Sequence, residues 1–276
     1  MAKLITGDGR THIESTLMRE SLVDRRVVAQ TNSEREHTIL PDVTLVGIGG
    51  QSIFDRGREA VLPLVAEIAA VRGKYKLVIG VGGGTRVRHT ISIAYDLGIP
   101  QGGVAQLVGA MEEANAVFLN ALLAKHGSMV MPREHFWELP LYLESHMIPI
   151  TISIPPYHFW EPPSGSPLPA HGSDFGLFQY AEVLGMKRVI FVKDEIGLYD
   201  KDPKRHKDAK HIPRTTLGAL LADMPEELIL DRMLFEAWRT ARHVQRVQIV
   251  SGLERGMLTR ALAGEDVGTV IEKGAH

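Results

Sequence analysis

The chain has 276 residues, of which 44% are apolar and 23% charged, with a formal net charge of −2. This length supports one large domain or two small ones around a sizeable core, and the near-neutral charge argues against a nucleic-acid partner. The absence of cysteine excludes disulfides, thiolate metal sites and a cysteine nucleophile.

Residues 1–8 contain no apolar h-region, so no signal peptide is expected and the expected location is cytoplasmic. No apolar run reads as approaching the roughly 20 residues of a membrane span, so no membrane partner is expected. Residues 1–40 are polar and charged and read as an N-terminal extension, with one helix expected over 13–23. The extension is either a frayed tail or an oligomer contact. Residues 41–276 carry the pattern of the main domain.

In that domain a buried strand over 43–48 ends at Gly49-Gly50, and apolar residues at helical spacing follow over 55–72. A second strand, 76–81, ends at Gly82-Gly83-Gly84. Helices are expected over 85–97 and 104–125, a short strand over 128–130, and a helical stretch over 133–145 interrupted by Pro140. A strand over 148–154 leads into a proline-rich loop, 155–169. Next come a helix over 174–184, a strand over 188–192, a charged loop over 200–214, and a helix over 226–242. The pattern closes with a strand over 247–250, a helix over 257–263 and a strand over 269–271. Alternating strands and helices imply an α/β fold, a three-layer αβα sandwich on a mostly parallel central sheet.

Parallel sheets bind ligands beyond the carboxyl ends of their strands, and both glycine clusters sit at such ends. Glycine lets a backbone approach a phosphate closely, with N–H groups directed at it and a helix N-terminus behind. Two such turns in consecutive strand–helix units point to a nucleoside triphosphate. Neither is a Walker loop, since the closing Gly-Lys-Ser/Thr is missing, and the second lacks the spacing of a dinucleotide fingerprint.

These residues resemble the amino acid kinase family, which includes aspartokinase, acetylglutamate kinase and bacterial uridylate kinase. The resemblance runs over residues 43–271 in order. Ile48-Gly49-Gly50-Gln51-Ser52 is similar to the family's first phosphate loop, and Gly80-Val81-Gly82-Gly83-Gly84 with Arg86 to its second. Ser173-Asp174 resembles the segment bearing a catalytic aspartate, which makes Asp174 the candidate catalytic group. The run Lys193-Asp194-Glu195-Ile196-Gly197-Leu198-Tyr199-Asp200-Lys201-Asp202-Pro203 resembles the nucleotide loop. The resemblance thus implies a nucleotide site made of Gly49, Gly50, Gln51, Gly82, Gly83, Gly84, Arg86, Lys193, Asp194, Gly197, Leu198, Tyr199, Asp202 and Pro203. It implies ATP as the ligand, with Mg²⁺ carried on the triphosphate.

Two departures stand out. The kinases begin their first loop with a lysine that bridges the transferring phosphate, and here that position is Gly47. Ile196 replaces the second acid of the nucleotide loop. Loss of a cation at the transferring phosphate removes transition-state stabilisation, so small-molecule kinase activity is disfavoured. ATP hydrolysis coupled to metal loading stays open. One branch of the family accommodates these departures, the molybdenum storage proteins, whose α-type chain the sequence resembles as a whole. This resemblance implies molybdate or tungstate held as polyoxometalate clusters in a cage. It also implies a homologous second subunit in a hetero-oligomer, a hexameric trimer of dimers.

The same resemblance directs attention to His158 in Pro155-Pro156-Tyr157-His158-Phe159-Trp160, where the kinases bind their small-molecule acceptor. Glu134, His135 and Glu138 are further candidates; His135 and Glu138, at i and i+3, share a helical face. Neutral imidazole can ligate molybdenum, and protonated imidazole can hold an anionic oxometalate. A packed loop histidine and a solvated helix face are the plainer readings of these residues taken alone. A small-molecule kinase acting on a nucleoside monophosphate or a carboxylate is the alternative function, with Arg86 or Lys193 supplying the missing cation.

Overall fold

The computed structural model describes residues 4–6, 11–13, 38–153 and 172–274. The chain divides into two compact units, Met1–His37 and Thr38–His276. In the first, strands β1 (Leu4–Thr6) and β2 (Thr11–Ile13) pair antiparallel, with Leu4 opposite Ile13. Ile13 therefore lies in a strand and not at the start of the expected 13–23 helix; the rest of that helix falls outside the described residues.

The second unit runs β3 (Thr44–Ile48), α1 (Arg58–Val71), β4 (Leu77–Val81), α2 (Gly84–Asp96), α3 (Gln101–Leu123), β5 (Ser128–Val130), α4 (Leu139–Glu144) and β6 (Ile148–Ile152). It continues with α5 (Ser173–Val183), β7 (Arg188–Lys193), β8 (Leu198–Tyr199), β9 (His211–Ile212), β10 (Arg214–Thr216), α6 (Leu217–Ala222), α7 (Arg232–Trp238), β11 (Arg246–Ser251), α8 (Met257–Leu262) and β12 (Thr269–Glu272). Eight strands form one sheet in the order β10-β12-β11-β7-β3-β4-β6-β5. Every pairing is parallel except β11 with β12.

Strands β3, β4 and β6 are buried at every position because both faces of the sheet are covered. Along β3, Leu45 faces a core with α4, α5, α6 and α7, while Val46 and Ile48 face a second core with α1, α3 and α8. This is the three-layer αβα sandwich expected from the sequence.

Three expectations need correction. The helix expected over 226–242 is only α7: Asp231, just before it, uses its carboxylate to accept from the Phe175 N–H at 3.0 Å. The 200–214 loop contains β9 and the start of β10, an edge strand whose partner β12 is distant in sequence. An apolar run of spanning length does exist: a helical stretch, Gln101–His126, with mean hydropathy 1.3. It packs on the sheet and carries Glu112, which is fully buried in a hydrogen-bonded site. That environment is a layer of the sandwich.

Candidate nucleotide site

A cleft of about 670 Å³ opens over the carboxyl ends of β3, β4 and β7. One rim is made of backbone. The ladder runs on into both turns, with the Gly49 N–H donating to Val192 O at 3.0 Å and the Gly82 N–H to Ile48 O at 2.9 Å. A Cβ on Gly50 would lie 2.3 Å from Gly84 N and 2.4 Å from Gly82 O, so the turns touch and only glycine fits. Gly84 has φ +68°, a left-handed conformation that glycine adopts without strain. The Asp55 carboxylate accepts from the Thr85 N–H at 2.5 Å, fixing the entry to α2.

Helix α3 clamps this rim from below. The Asn115 amide donates to Gly82 O at 2.7 Å and to Gly83 O at 3.1 Å, and its oxygen accepts from Arg86. The Glu112 carboxylate accepts from Ser173 Oγ at 2.6 Å and from the Ser153 N–H at 3.1 Å. Neither residue is visible as a site residue from the glycine pattern. The available signal was a polar pair at i and i+3, Glu112 and Asn115, on a mainly apolar helix.

The opposite rim is charged. Lys193, at the end of β7, donates to both Asp174 oxygens at 2.8 Å, and its Nζ lies 5.9 Å from the Phe191 ring centre. Burial pushes the Asp174 carboxyl up to about 6; Lys193 opposes the shift and Asp231 adds to it. Asp194 accepts from Arg56 and from Lys204, each at 2.7 Å. Burial raises the Asp194 pKa, but the hydrogen bonds from Lys204 and Arg56 outweigh it and hold the carboxyl below its ordinary value. Asp194 in turn raises Lys204. The lining thus carries four cations (Arg56, Arg88, Lys193, Lys204) and four carboxylates (Asp55, Asp174, Asp194, Asp231), so it is electrically balanced.

Of the residues expected at a nucleotide, Gly49, Gly50, Gln51, Gly82, Gly83, Gly84, Lys193 and Asp194 line this cleft together with Asp174. Arg86 does not. Its guanidinium bonds Asn115 and lies 5.5 Å from the Phe118 ring centre. Gly197, Leu198 and Tyr199 do not line the cleft either; they lie in and before the β8–β9 pair, where the Leu198 N–H donates to Thr269 Oγ1 at 2.7 Å. Asp202 caps the following turn by accepting from the Lys204 N–H at 2.8 Å. Asp202 and Pro203 thereby help place the Lys204 ammonium back at the cleft. Arg56, Asp55 and Asp231 were missed, because nothing in the local sequence marks them as cleft residues.

Gly47 lies beneath the cleft. A Cβ there would stand 2.7 Å from Phe191 and 2.9 Å from Leu177, and one on its β4 neighbour Gly80 would stand 2.2 Å from Leu177. The two glycines form a notch in the sheet that Leu177 of α5 fills. The space a side chain would need at 47 is therefore taken.

Of the candidate metal residues, the structure describes His135, Glu138 and Glu134, which share one short turn. His158 lies outside the described residues. His135 Nδ1 is 2.7 Å from Glu138 Oε1, and Glu138 Oε2 accepts from Tyr142 OH at 2.6 Å. Those hydrogen bonds, with Tyr142 first, hold the Glu138 carboxyl below its usual range. Glu134 is exposed. Residues 133–138 form a 3₁₀ turn that leads directly into α4. Among the described residues no group of three or more His, Asp or Glu side chains is placed to hold a metal ion.

Residues 42–251 match the amino acid kinase family. The chain is 45% identical over 260 residues to the molybdenum storage protein subunit beta of Azotobacter vinelandii, covering 94% of this chain and 96% of that one. It is 25% identical to the uridylate kinase of Thermotoga maritima, over 82% of this chain and 97% of the relative. Among solved structures it is similar to the UMP kinase of Bacillus anthracis, with a TM-score of 0.65 at 18% identity, covering 85% of this chain and 98% of that one.

Proposed function

This chain belongs to the amino acid kinase family and, within it, to the molybdenum storage branch, and from that premise we propose that it is a storage subunit that binds ATP. In this reading it holds molybdate or tungstate as polyoxometalate clusters inside a cage built with a homologous second subunit, a hexameric trimer of dimers in the cytoplasm. Residues 1–40 are an extension available for oligomer contact, and 41–276 are the nucleotide-binding domain. The relative named above is a β subunit; an α-type assignment for this chain is part of the proposal.

The observation that carries the reading is the combination at the cleft. The backbone cradle for phosphates is intact, while the place of the kinase lysine is Gly47, with Phe191 and Leu177 packed over it. Such a site retains a triphosphate but lacks the cation that a phosphoryl-transfer transition state needs from that strand. Gly49, Gly50, Gln51, Gly82, Gly83 and Gly84 cradle the phosphates, with Lys193, Asp194 and Arg86 nearby and Gly197, Leu198, Tyr199, Asp202 and Pro203 framing the nucleotide loop. Mg²⁺ suits the donor set. When Arg56, Lys193 and Lys204 turn toward phosphate, carboxylate oxygens of Asp174 and Asp194 are released, and a triphosphate-borne Mg²⁺ takes one or two carboxylates plus phosphates and water. His158, with His135, Glu138 and Glu134, is proposed to face the oxometalate cargo.

The test is elemental analysis. Protein incubated with molybdate and MgATP should retain molybdenum through gel filtration, and protein incubated without ATP should retain less. Metal-free protein under both conditions would sink the reading. A second reading, a small-molecule kinase, rests on Lys193, whose ammonium enters the cleft from the strand next to Gly47. Steady ATP-dependent phosphorylation of UMP would favour it.

A further inference from the structure

Two helices, α2 and α5, begin at the cleft, and neither caps itself. Each opens from a glycine, with no side-chain hydrogen bond from the residue at its cap. A bare end of this kind carries roughly half a positive charge and unfilled N–H donors, and it takes up small oxyanions. Here both ends are already filled, by carboxylates brought in from elsewhere in the chain. Asp55 Oδ2 accepts from the Thr85 N–H of α2 at 2.5 Å, across 30 residues. Asp231 Oδ2 accepts from the Phe175 N–H of α5 at 3.0 Å, across 56 residues.

The fit is close at both ends. A Cβ on Gly84 would stand 2.6 Å from Asp55 Oδ2, and one on Gly172 would stand 2.6 Å from Asp231 Oδ2. Glycine thus leaves room for each carboxylate. Asp55 is also anchored through its own backbone, since its N–H donates to Gly50 O at 2.8 Å. The remaining carboxylates of the lining, Asp174 and Asp194, hold Lys193, Arg56 and Lys204. A bare oxyanion that enters therefore meets negative charge at both helix ends and cations that are already paired. A triphosphate chelated to a divalent cation brings positive charge to those carboxylates, while its phosphates use the glycine turns.

We propose that Asp55 and Asp231 are specificity-determining residues that close the two helix N-termini to bare oxyanions, so that the cleft accepts a metal-chelated triphosphate and excludes phosphate, sulfate and molybdate. Both carboxylates stay on their helices when nucleotide binds. The proposal rests on the storage reading in one respect: a chain that accumulates molybdate needs a nucleotide cleft that its cargo does not block. A cap that served stability alone would need only a hydrogen-bond acceptor, and an asparagine amide supplies one as well as a carboxylate. Charge is what separates the two roles.

The experiment removes that charge and keeps the acceptor. A fluorescent ATP analogue is displaced from the full chain at a pH well above the Asp174 pKa of about 6, so that Asp174 stays ionised. The wild type should bind MgATP more tightly than ATP in EDTA, and millimolar molybdate or sulfate should not displace the analogue. Asp55→Asn should bind ATP in EDTA about tenfold more tightly than the wild type, a factor that corresponds to about 1.4 kcal/mol. Its MgATP affinity should be unchanged or lower, and molybdate and sulfate should now compete. Asp231→Asn should shift the same way, and the two variants, on separate helices, keep the test decisive if one fails to fold. Glu236→Gln, exposed on α7 and outside the cleft lining, should match the wild type. Equal shifts with and without Mg²⁺, or no shift at all, would make the carboxylates structural caps and overturn the proposal. So would a wild type from which molybdate or sulfate displaces the analogue as readily as from the variants. Failure of the storage reading looks different: a wild type that discriminates as described yet retains no molybdenum on elemental analysis.

Discussion

The rim formed by the turns after β3 and β4 presents only backbone from Gly82 to Gly84, whereas the rim after β7 presents Lys193 and Asp194 with Arg56 and Lys204 drawn in. The glycine rim keeps its shape by contact, because Gly50 abuts the second turn and Asn115 ties that turn down. The charged rim keeps its shape by ion pairs that are already satisfied. A triphosphate adds to the first rim without breaking anything, but at the second it must compete with Asp174 and Asp194 for their cations. The first should therefore respond to volume, and the second to pH and salt.

The largest effect is expected at Gly50. Gly50→Val places atoms inside the van der Waals envelope of Gly82 and Gly84, and overpacking of this kind costs ~1–3 kcal/mol or more. ATP binding by isothermal calorimetry should fall ~100-fold or more, since each tenfold corresponds to ~1.4 kcal/mol. Near-normal binding would show that the two turns do not need their contact. Gly47→Lys comes next. Restoring the kinase residue forces Phe191 and Leu177 aside, and chemical denaturation should show a loss of ~1–3 kcal/mol with no gain in UMP phosphorylation. Adding Leu177→Ala should recover part of the stability by making room. A single Gly47→Lys change that is both stable and kinase-active would show that the notch is not what separates this chain from a kinase.

The two rims also differed in how far the sequence revealed them. Glycines at strand ends are legible because the strands are apolar runs with an abrupt end, and the layered fold followed from their alternation with helices. The filled notch was not legible. Gly47 meets Phe191 through the β3–β7 register, a partnership 144 residues apart that no local pattern encodes. The bond from Arg56 to Asp194, 138 residues apart, is equally non-local. His135 and Glu138 were visible as a facing pair, yet spacing could not reveal that they would bond each other and Tyr142. The helix expected at 226–242 shortened because residues 228–231 line the cleft, a tertiary demand that overrides helical propensity.

The charged rim can be titrated. Asp174 has its pKa raised to about 6, so it is ionised above that pH and pairs with Lys193, and it is neutral below. As pH falls from 7.5 to 5.5 the ammonium is released toward phosphate and the cleft gains one positive charge. ATP affinity without Mg²⁺ should therefore rise, ~3- to 10-fold, the range of a single charge-assisted contact at a partly exposed site. The stability sign runs the same way. A carboxyl whose folded pKa lies above its unfolded value destabilises the fold where it is ionised, so its penalty fades as pH drops through about 6. Protonation of ATP itself is common to all variants, so Asp174→Asn should flatten the difference. A slope that persists in the variant would assign the titration elsewhere.

Lys204 should give the smallest change. Its ammonium bonds Asp194 at 2.7 Å and lies 3.5 Å from Glu195, but the side chain is 56% exposed. Exposed pairs are screened and contribute little, so Lys204→Gln should weaken ATP binding only ~2- to 3-fold at low salt. The difference should vanish near ~0.5 M salt, where the Debye length shrinks to a few ångströms. Gly50→Val should be as severe at high salt as at low, because sterics are not screened. If Lys204→Gln instead matched the glycine variant and ignored salt, the loop from Asp202 to Lys210 would be holding the nucleotide by shape, and the division into a rigid rim and an electrostatic rim would fail.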